Sequence, residues 1–138
     1  MNLANLKERV NHGSNLFPVV LYHSHQIIPY QWHDEEEIIL MQKGSVDYNI
    51  DGFTYHLNPG DCAYCPGKAL HSMLFDETLG IRFIAILFKK DYIFNVNDIC
   101  NDLFHSNLII NNYFNCTDKK NDNIIKIIKE LAKVLDVG

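Results

Sequence analysis

No apolar run in this chain approaches the ~20 residues that a bilayer-spanning helix needs, although 47% of its residues are hydrophobic. The N-terminus has no apolar leader either: Lys7, Glu8 and Arg9 stand where a secretory signal would need one. The expectation is a soluble, cytoplasmic protein. Basic residues are scarce, 12 Lys and Arg against 17 Asp and Glu, for a net charge of −5. Duplex binding depends on cations that neutralise phosphates, so these residues alone are not expected to hold DNA. Cysteine is sparse, and Cys62-Ala63-Tyr64-Cys65 is the one pair at zinc or redox spacing. Those sites place their cysteines on a turn or a helix start. Here the pair falls on a short strand between a Pro-Gly-Asp turn and Pro66, so one sulfur should point inward and the other outward. Cys62, Cys65, Cys100 and Cys116 are therefore read as structural thiols in a reducing compartment, and the sequon-like Asn115-Cys116-Thr117 carries no meaning there. No internal repeat, phosphate-cradling glycine loop, or serine or cysteine nucleophile with an attendant base can be assembled.

What is present is a dense series of short strands. With 138 residues, the chain has the length of one domain: an N-terminal arm over 1–16, a barrel core over 17–88, and a late strand and helices over 89–138. The arm has one or two helical turns at 3–10. Strands are expected at 17–25, 28–33, 36–43, 46–50, 53–58, 62–65, 70–76 and 81–88. Asp51-Gly52 reads as a two-residue hairpin turn; Asn58-Pro59-Gly60-Asp61, Pro66-Gly67 and Gly44 supply further turns, the last closing a hairpin. Eight short strands so punctuated predict a mainly β fold, a jelly-roll barrel. Beyond it, a short helix near Asn97 or Asp98 and a strand at Leu108-Ile109-Ile110 are expected. A helix capped by Asp122 or Asn123 should follow, with Ile124, Ile128, Leu131 and Leu135 on one face. Ile125, Ile127, Ala132 and Val134 broaden that face. It is read either as packing on the barrel and a partner subunit together or as a terminal helix packed on the barrel alone.

Strand alternation turns Gln31, His33, Glu37 and His71 into the barrel together. Two imidazoles, a carboxylate and an amide in an apolar cavity suit either a metal ion or the polar floor of an organic-ligand pocket; a third reading has His33 and Glu37 merely tying strands together. A buried carboxylate without an ion should be paired, with a protonated His33 or His71 as the candidates. Among the nearby aromatics Tyr22, Tyr30, Trp32, Tyr48, Tyr55 and Tyr64, the inward pair is taken to be Tyr48 and Tyr64, with Tyr55 outside. His23 and His25 share a face with no carboxylate at ligand spacing and are read as surface residues. His12, His56 and His105 carry no signal.

His33, Glu37 and Gly44, followed by Gly60, Pro66 and His71, resemble the paired motifs of the cupins, with Gln31 where the first motif has a histidine. In the second motif Lys68 stands where the glycine after proline is expected, Gly67 falling one place early, and Phe75 where an asparagine is. A finer resemblance spans Pro29 to His71. Trp32-His33-Asp34, Glu36-Glu37-Ile38-Ile39, Gly44, Asp51-Gly52, Leu57-Asn58-Pro59-Gly60-Asp61, Pro66 and His71-Ser72 follow the order found in the N-terminal sensing domain of AraC-type transcription regulators. That resemblance implies a cupin-type double-stranded β-helix with C-terminal helices, binding a small organic effector such as a sugar without a cofactor. Gln31, His33, Glu37, His71, Tyr48 and Tyr64 would bind the effector. It also implies a homodimer through Ile124, Ile125, Ile128, Leu131, Ala132 and Leu135, and contact with DNA only through a helix-turn-helix domain outside these residues. The chain is accordingly expected to be a non-enzymatic fragment of a longer regulator, with 122–138 beginning its linker helix. The alternative is a small metal-dependent cupin enzyme, an isomerase or dioxygenase, holding its ion with Gln31, His33, Glu37 and His71. The amide would be the weakest of those ligands, though cupin-type sugar-phosphate isomerases look similar in using a Gln-x-His step for zinc.

Overall fold

A computed structural model describes residues 19–89 and 112–135. The arm at 1–16, the helix near Asn97 and the strand at 108–110 lie outside the described residues, as do His12, His105 and Cys100. Eight strands follow one another: β1 (Val19–Ser24), β2 (Ile28–Gln31), β3 (Glu36–Lys43), β4 (Val46–Ile50), β5 (Phe53–Leu57), β6 (Cys62–Cys65), β7 (His71–Leu74) and β8 (Ile81–Phe88). They match the expected strands with ends trimmed by up to two residues. A short β9 (Tyr113–Phe114), a 3-10 turn (Lys119–Asn121) and α1 (Asp122–Val134) complete the described residues.

Two antiparallel sheets face one another, in the orders β1-β8-β3-β6-β9 and β2-β7-β4-β5. Only side chains of one parity enter the space between them, which β4 shows most plainly: Val46, Tyr48 and Ile50 are buried, while Asp47 and Asn49 turn away. With Ile39, Met41, Leu57, Met73, Phe83 and Leu87 they form the inner core. β3 and β8 are buried on both faces, so Ile38-Ile39-Leu40-Met41 runs apolar without alternation. Their outer cover is α1, which sets Ile125, Ile128 and Ala132 against Leu40, Cys62, Ile84 and Ile86.

Cys65 belongs to the inner core and Cys62 to the outer cluster, so the two sulfurs do point to opposite faces. Asp51 (φ 48°) and Gly52 (φ 90°) form the hairpin turn between the paired Ile50 and Phe53. Gly44 closes no hairpin, contrary to expectation. β3 pairs with β6 and β8, and β4 with β5 and β7, so the chain crosses between sheets at Gly44. Its φ is 77°, and a Cβ there would lie 2.7 Å from the carbonyl oxygen of Gly80.

α1 docks through the middle of the broad apolar face expected of it, with Leu131 and Leu135 packed alongside and Ile124, Ile127 and Val134 falling outside the contact. The sheet takes up Ile125, Ile128 and Ala132, leaving Ile124 and Ile127 37% and 58% exposed and Leu131 and Leu135 half-buried. An apolar arc this broad lets the docking surface choose the rotation, and each fully buried Ile contributes roughly 1.5–3 kcal/mol. The cap also differs. Asn121 occupies the N-cap without a side-chain cap bond, and its Nδ2 donates instead to the carbonyl of Asn115 at 3.1 Å. The 3-10 turn before it is capped by Asp118, which accepts from the Lys120 amide.

Asp61, 1% exposed, anchors the turn after β5 to the C-terminal segment. Its carboxylate accepts from the Asn58 amide (2.9 Å), the Cys116 amide (2.8 Å) and the Tyr113 hydroxyl (3.3 Å). Asp61→Asn turns an amide NH2 toward one of these donors and is expected to cost about 2 kcal/mol in urea unfolding. Burial pushes the Cys62 thiol from 9.0 up to about 12 and raises Cys65 as well. The native state thus holds these protons more tightly than the unfolded chain. That contribution is complete below about pH 8.5 and is lost as the pH rises toward 12. The urea midpoint should accordingly fall between pH 8.5 and 11, and an aromatic disulfide reagent at pH 8 should modify the exposed Cys116 well before Cys62 or Cys65.

Candidate functional site

His33, Glu37 and His71 come from three different parts of this framework. Glu37 is on β3, opposite Cys65 of β6 and Leu87 of β8, and points inward from the five-stranded sheet. His71 is on β7, between Gln31 of β2 and Ile50 of β4, and points inward from the other sheet. His33 lies in the connection that carries the chain from one sheet to the other. All three are buried, at 4%, 8% and 3% exposed in the order His33, Glu37, His71.

One ring nitrogen of each histidine is committed to the backbone. His33 Nδ1 lies 2.9 Å from the Glu35 carbonyl oxygen, and His71 Nδ1 lies 2.9 Å from that of Ala69. A carbonyl can only accept, so both Nδ1 atoms carry hydrogen and the Nε2 atoms face the centre. There, His33 Nε2 meets Glu37 Oε2 at 2.8 Å and His71 Nε2 approaches the same oxygen at 3.7 Å. A neutral imidazole nitrogen and a carboxylate oxygen repel at 2.8 Å. A proton between them, on the ring or on the carboxyl, or a metal ion must hold them together.

Candidate metal-ligand atoms of the three residues lie within 4.8 Å of one another. Ligands of a zinc-like ion sit roughly 3–3.5 Å apart, given metal–ligand bonds near 2.1 Å. The observed 2.8 and 3.7 Å bracket that spacing, while the set as a whole spreads over up to 4.8 Å and would have to draw in to close on one ion. The backbone carbonyls behind each Nδ1 also provide the orienting partners that metal-bound histidines have. This donor set fits a divalent ion.

A cavity of about 300 Å³ opens onto Glu37 and His71, with His33 behind them and off its lining. Gln31, Glu37 and His71 give it polar groups, Ile28, Met73, Phe83 and Leu87 give it apolar walls, and His23 and Ser24 lie on its lining too. Both His23 and His25 are exposed, His25 packing over Gly80. Tyr48 is fully buried beside His71, ring centroids 6.2 Å apart. Burial, and then the charge of Glu37, raise its phenol well above the ordinary value, so it stays protonated. Neither Tyr48 Oη nor His71 Nε2 has a hydrogen-bond partner among the described residues.

Tyr64 does not line the barrel. It stands opposite Ile38 in the β3–β6 register, one residue out of phase with Cys65 and Glu37, and so belongs to the outer face. Tyr55 is the reverse case. It is the cross-strand neighbour of Tyr48, packs against the inner core and stacks on Tyr113 at 6.0 Å. Glu36 was not anticipated. At 2% exposed it is buried on the face opposite Glu37, where Oε1 accepts from Tyr64 Oη at 2.8 Å and Oε2 from the Gly67 amide. Two successive glutamates on a strand buried on both faces were the available signal, since alternation must bury one on each side.

A family model described as "Cupin domain" matches residues 18–87. No curated protein matches the chain. Among solved structures it is similar to a putative mannose-6-phosphate isomerase from Ralstonia eutropha JMP134, with 17% identity and a TM-score of 0.50 over 54% of this chain and 75% of that one. An RmlC-like cupin from Shewanella frigidimarina NCIMB 400 aligns with 18% identity and a TM-score of 0.49 over 60% and 74%. Oxalate decarboxylase from Bacillus subtilis aligns with 26% identity and a TM-score of 0.48 over 55% of this chain and 22% of that one. The isomerase likeness is one of fold alone, and the other two carry no argument. With its two facing antiparallel sheets and a family match over half its length, the chain belongs to the cupin domain family.

Proposed function

We propose that this cupin domain binds a small effector inside its barrel and serves as the sensing domain of an AraC-type transcription regulator. The observation that carries the reading is His71, a buried imidazole whose Nε2 faces the Glu37 carboxylate at 3.7 Å and has no hydrogen-bond partner among the described residues. Leaving a buried polar atom unpaired costs about 1–3 kcal/mol, which a ligand with a hydroxyl or amine proton would recover. Gln31 and Glu37 line the same cavity with further polar groups, and about 300 Å³ suits a molecule of sugar size. The order of residues from Trp32 to His71 supplies the regulator part of the reading.

β3 offers a route outward. It carries Glu37 on its inner face and Leu40 on its outer face, where α1 docks. An occupant that shifts β3 would move the seat of α1. In a homodimer, Ile125, Ile128 and Ala132 are already used against the chain's own sheet, so the partner would meet Ile124 and the half-buried Leu131 and Leu135.

A second reading, favoured by the three converging donors, is a metal-dependent cupin enzyme with Gln31, His33, Glu37 and His71 as ligands. A divalent ion there would supply Lewis-acid polarisation of a substrate oxygen.

Two measurements separate the readings. For the sensor, the gene is expected to continue past Gly138 with two basic helix-turn-helix motifs within about a hundred codons; a stop codon directly after Gly138 would sink it. Elemental analysis of the purified protein should then show well under one equivalent of iron, nickel, manganese or zinc. A stoichiometric metal that disappears in the His33→Ala, His71→Ala double variant would favour the enzyme.

A further inference from the structure

The buried carboxylate of Glu36 takes no part in the cavity, yet it lies next to the residue at its centre. We propose that Glu36 is a positioning residue for the binding centre: by holding the 66–70 loop against the start of β3, it fixes the ring of His71. The inference rests on reading the His33–Glu37–His71 cluster as the binding centre, and is independent of whether an effector or an ion occupies it.

Two bonds tie the loop down. Glu36 Oε2 accepts from the Gly67 amide, and the next amide, of Lys68, donates to the His33 carbonyl at 2.7 Å. The approach is so close that a Cβ on Gly67 would collide with the Asp34 carbonyl oxygen. Lys68 takes the left-handed conformation, φ 67°, and the Ala69 amide then bonds to the Pro66 carbonyl at 3.2 Å. Ala69 presents its carbonyl oxygen to His71 Nδ1 at 2.9 Å. That bond selects the His71 tautomer and aims Nε2 at Glu37. Moving the loop by a fraction of an ångström would move the carbonyl that sets the ring.

Tyr64 holds the other end of the device. Its hydroxyl donates to Glu36 Oε1 at 2.8 Å, which stops the carboxylate from turning away from Gly67. Burial and the neighbouring Glu36 charge raise the Tyr64 phenol above its ordinary value, so the donor proton is retained. A buried carboxylate is costly to desolvate, and a well-packed apolar side chain would stabilise the sheet as well or better. What the apolar side chain lacks is an acceptor for the Gly67 amide. Glu36 thus acts from the outer face of β3 on a histidine that faces the inside.

The test uses Co²⁺ as a spectroscopic reporter of how well the three side chains converge, whether or not an ion is native. Glu36→Gln puts an NH2 against one of the two donors and should raise the Co²⁺ dissociation constant at least tenfold. Tyr64→Phe, which keeps the ring, should raise it severalfold. Asp61→Asn is the control, a buried carboxylate bonded to the 58–61 turn and Cys116; it should lower the melting temperature while leaving Co²⁺ affinity within twofold. The same variants are read by long-range ¹H–¹⁵N spectra of the imidazoles. Wild type should show His71 as the single Nδ1–H tautomer and Glu36→Gln a mixture. If Glu36→Gln and Tyr64→Phe lower the melting temperature as Asp61→Asn does but leave both Co²⁺ affinity and the tautomer intact, the proposal is overturned. Should wild type bind no Co²⁺, the metal reading fails alone and the tautomer decides: a mixture in the variants supports positioning by Glu36, an unchanged single form refutes it. Should Glu36→Gln not fold, Tyr64→Phe decides by the same two readouts.

Discussion

A carboxylate facing two imidazole nitrogens in an apolar enclosure is the constraint that the rest of this structure serves. Glu37, His33 and His71 could not converge from one strand, since neighbours on the same face are about 6.6 Å apart along it. They converge because each is delivered by a different part of the jelly roll: one inner strand of each sheet and the connection between the sheets. Register then matters more than composition. A slip of one residue in β3 would exchange Glu37 for Glu36 or Ile38 at the centre and turn the whole inner face outward.

The enclosure resists such slips from both sides. β3 and β8 are gripped inside by Ile39, Met41, Phe83 and Leu87, and outside by α1 through Leu40, Ile84 and Ile86. Strands packed on both faces cannot shift without disturbing two cores, which makes β3 a stiff link between cavity and helix. In the proposed function this stiffness is useful, because an event at Glu37 reaches α1 through a single strand. Glu36 uses a different route: from the outer face of β3 it bonds the Gly67 amide, and the loop that follows carries the Ala69 carbonyl to His71.

Much of this was legible in the sequence, because the signals were local. Strand positions followed from turn residues such as Asp51-Gly52 and Asn58-Pro59-Gly60-Asp61. The opposite facing of Cys62 and Cys65, and the inward convergence of Glu37 and His71 with His33, followed from strand alternation. The errors came where two strands had to be aligned. Tyr64 was placed inside because its own strand gives no absolute phase; only its pairing with Ile38, beside Glu37 and Cys65, fixes it outside. Tyr55 was misplaced for the complementary reason, since its phase is set by Tyr48 across the hairpin. Gly44 looked like a hairpin turn because a crossover between sheets also needs a positive φ. Which part of its broad apolar face α1 docks with could not be read from a helix apolar over so much of its circumference.

Whether the centre takes an ion or an organic molecule is at root a question about one proton. With both Nδ1 atoms donating to carbonyls, the 2.8 Å contact between His33 Nε2 and Glu37 Oε2 requires a proton or a metal ion between them. A proton satisfies that contact and leaves His71 Nε2 open to a donor on a neutral effector, which can bind without changing the protonation of the cluster. A divalent ion must displace the same proton, because imidazole coordinates only through a free lone pair, so its binding releases acid and weakens as the pH falls. The two occupants therefore compete for one arrangement of side chains but differ in proton balance. Gln31 does not tip that balance, since a neutral amide can either hydrogen-bond an effector or ligate weakly. The decisive chemistry lies in His33 and Glu37, the pair whose 2.8 Å contact a proton or a metal ion must bridge.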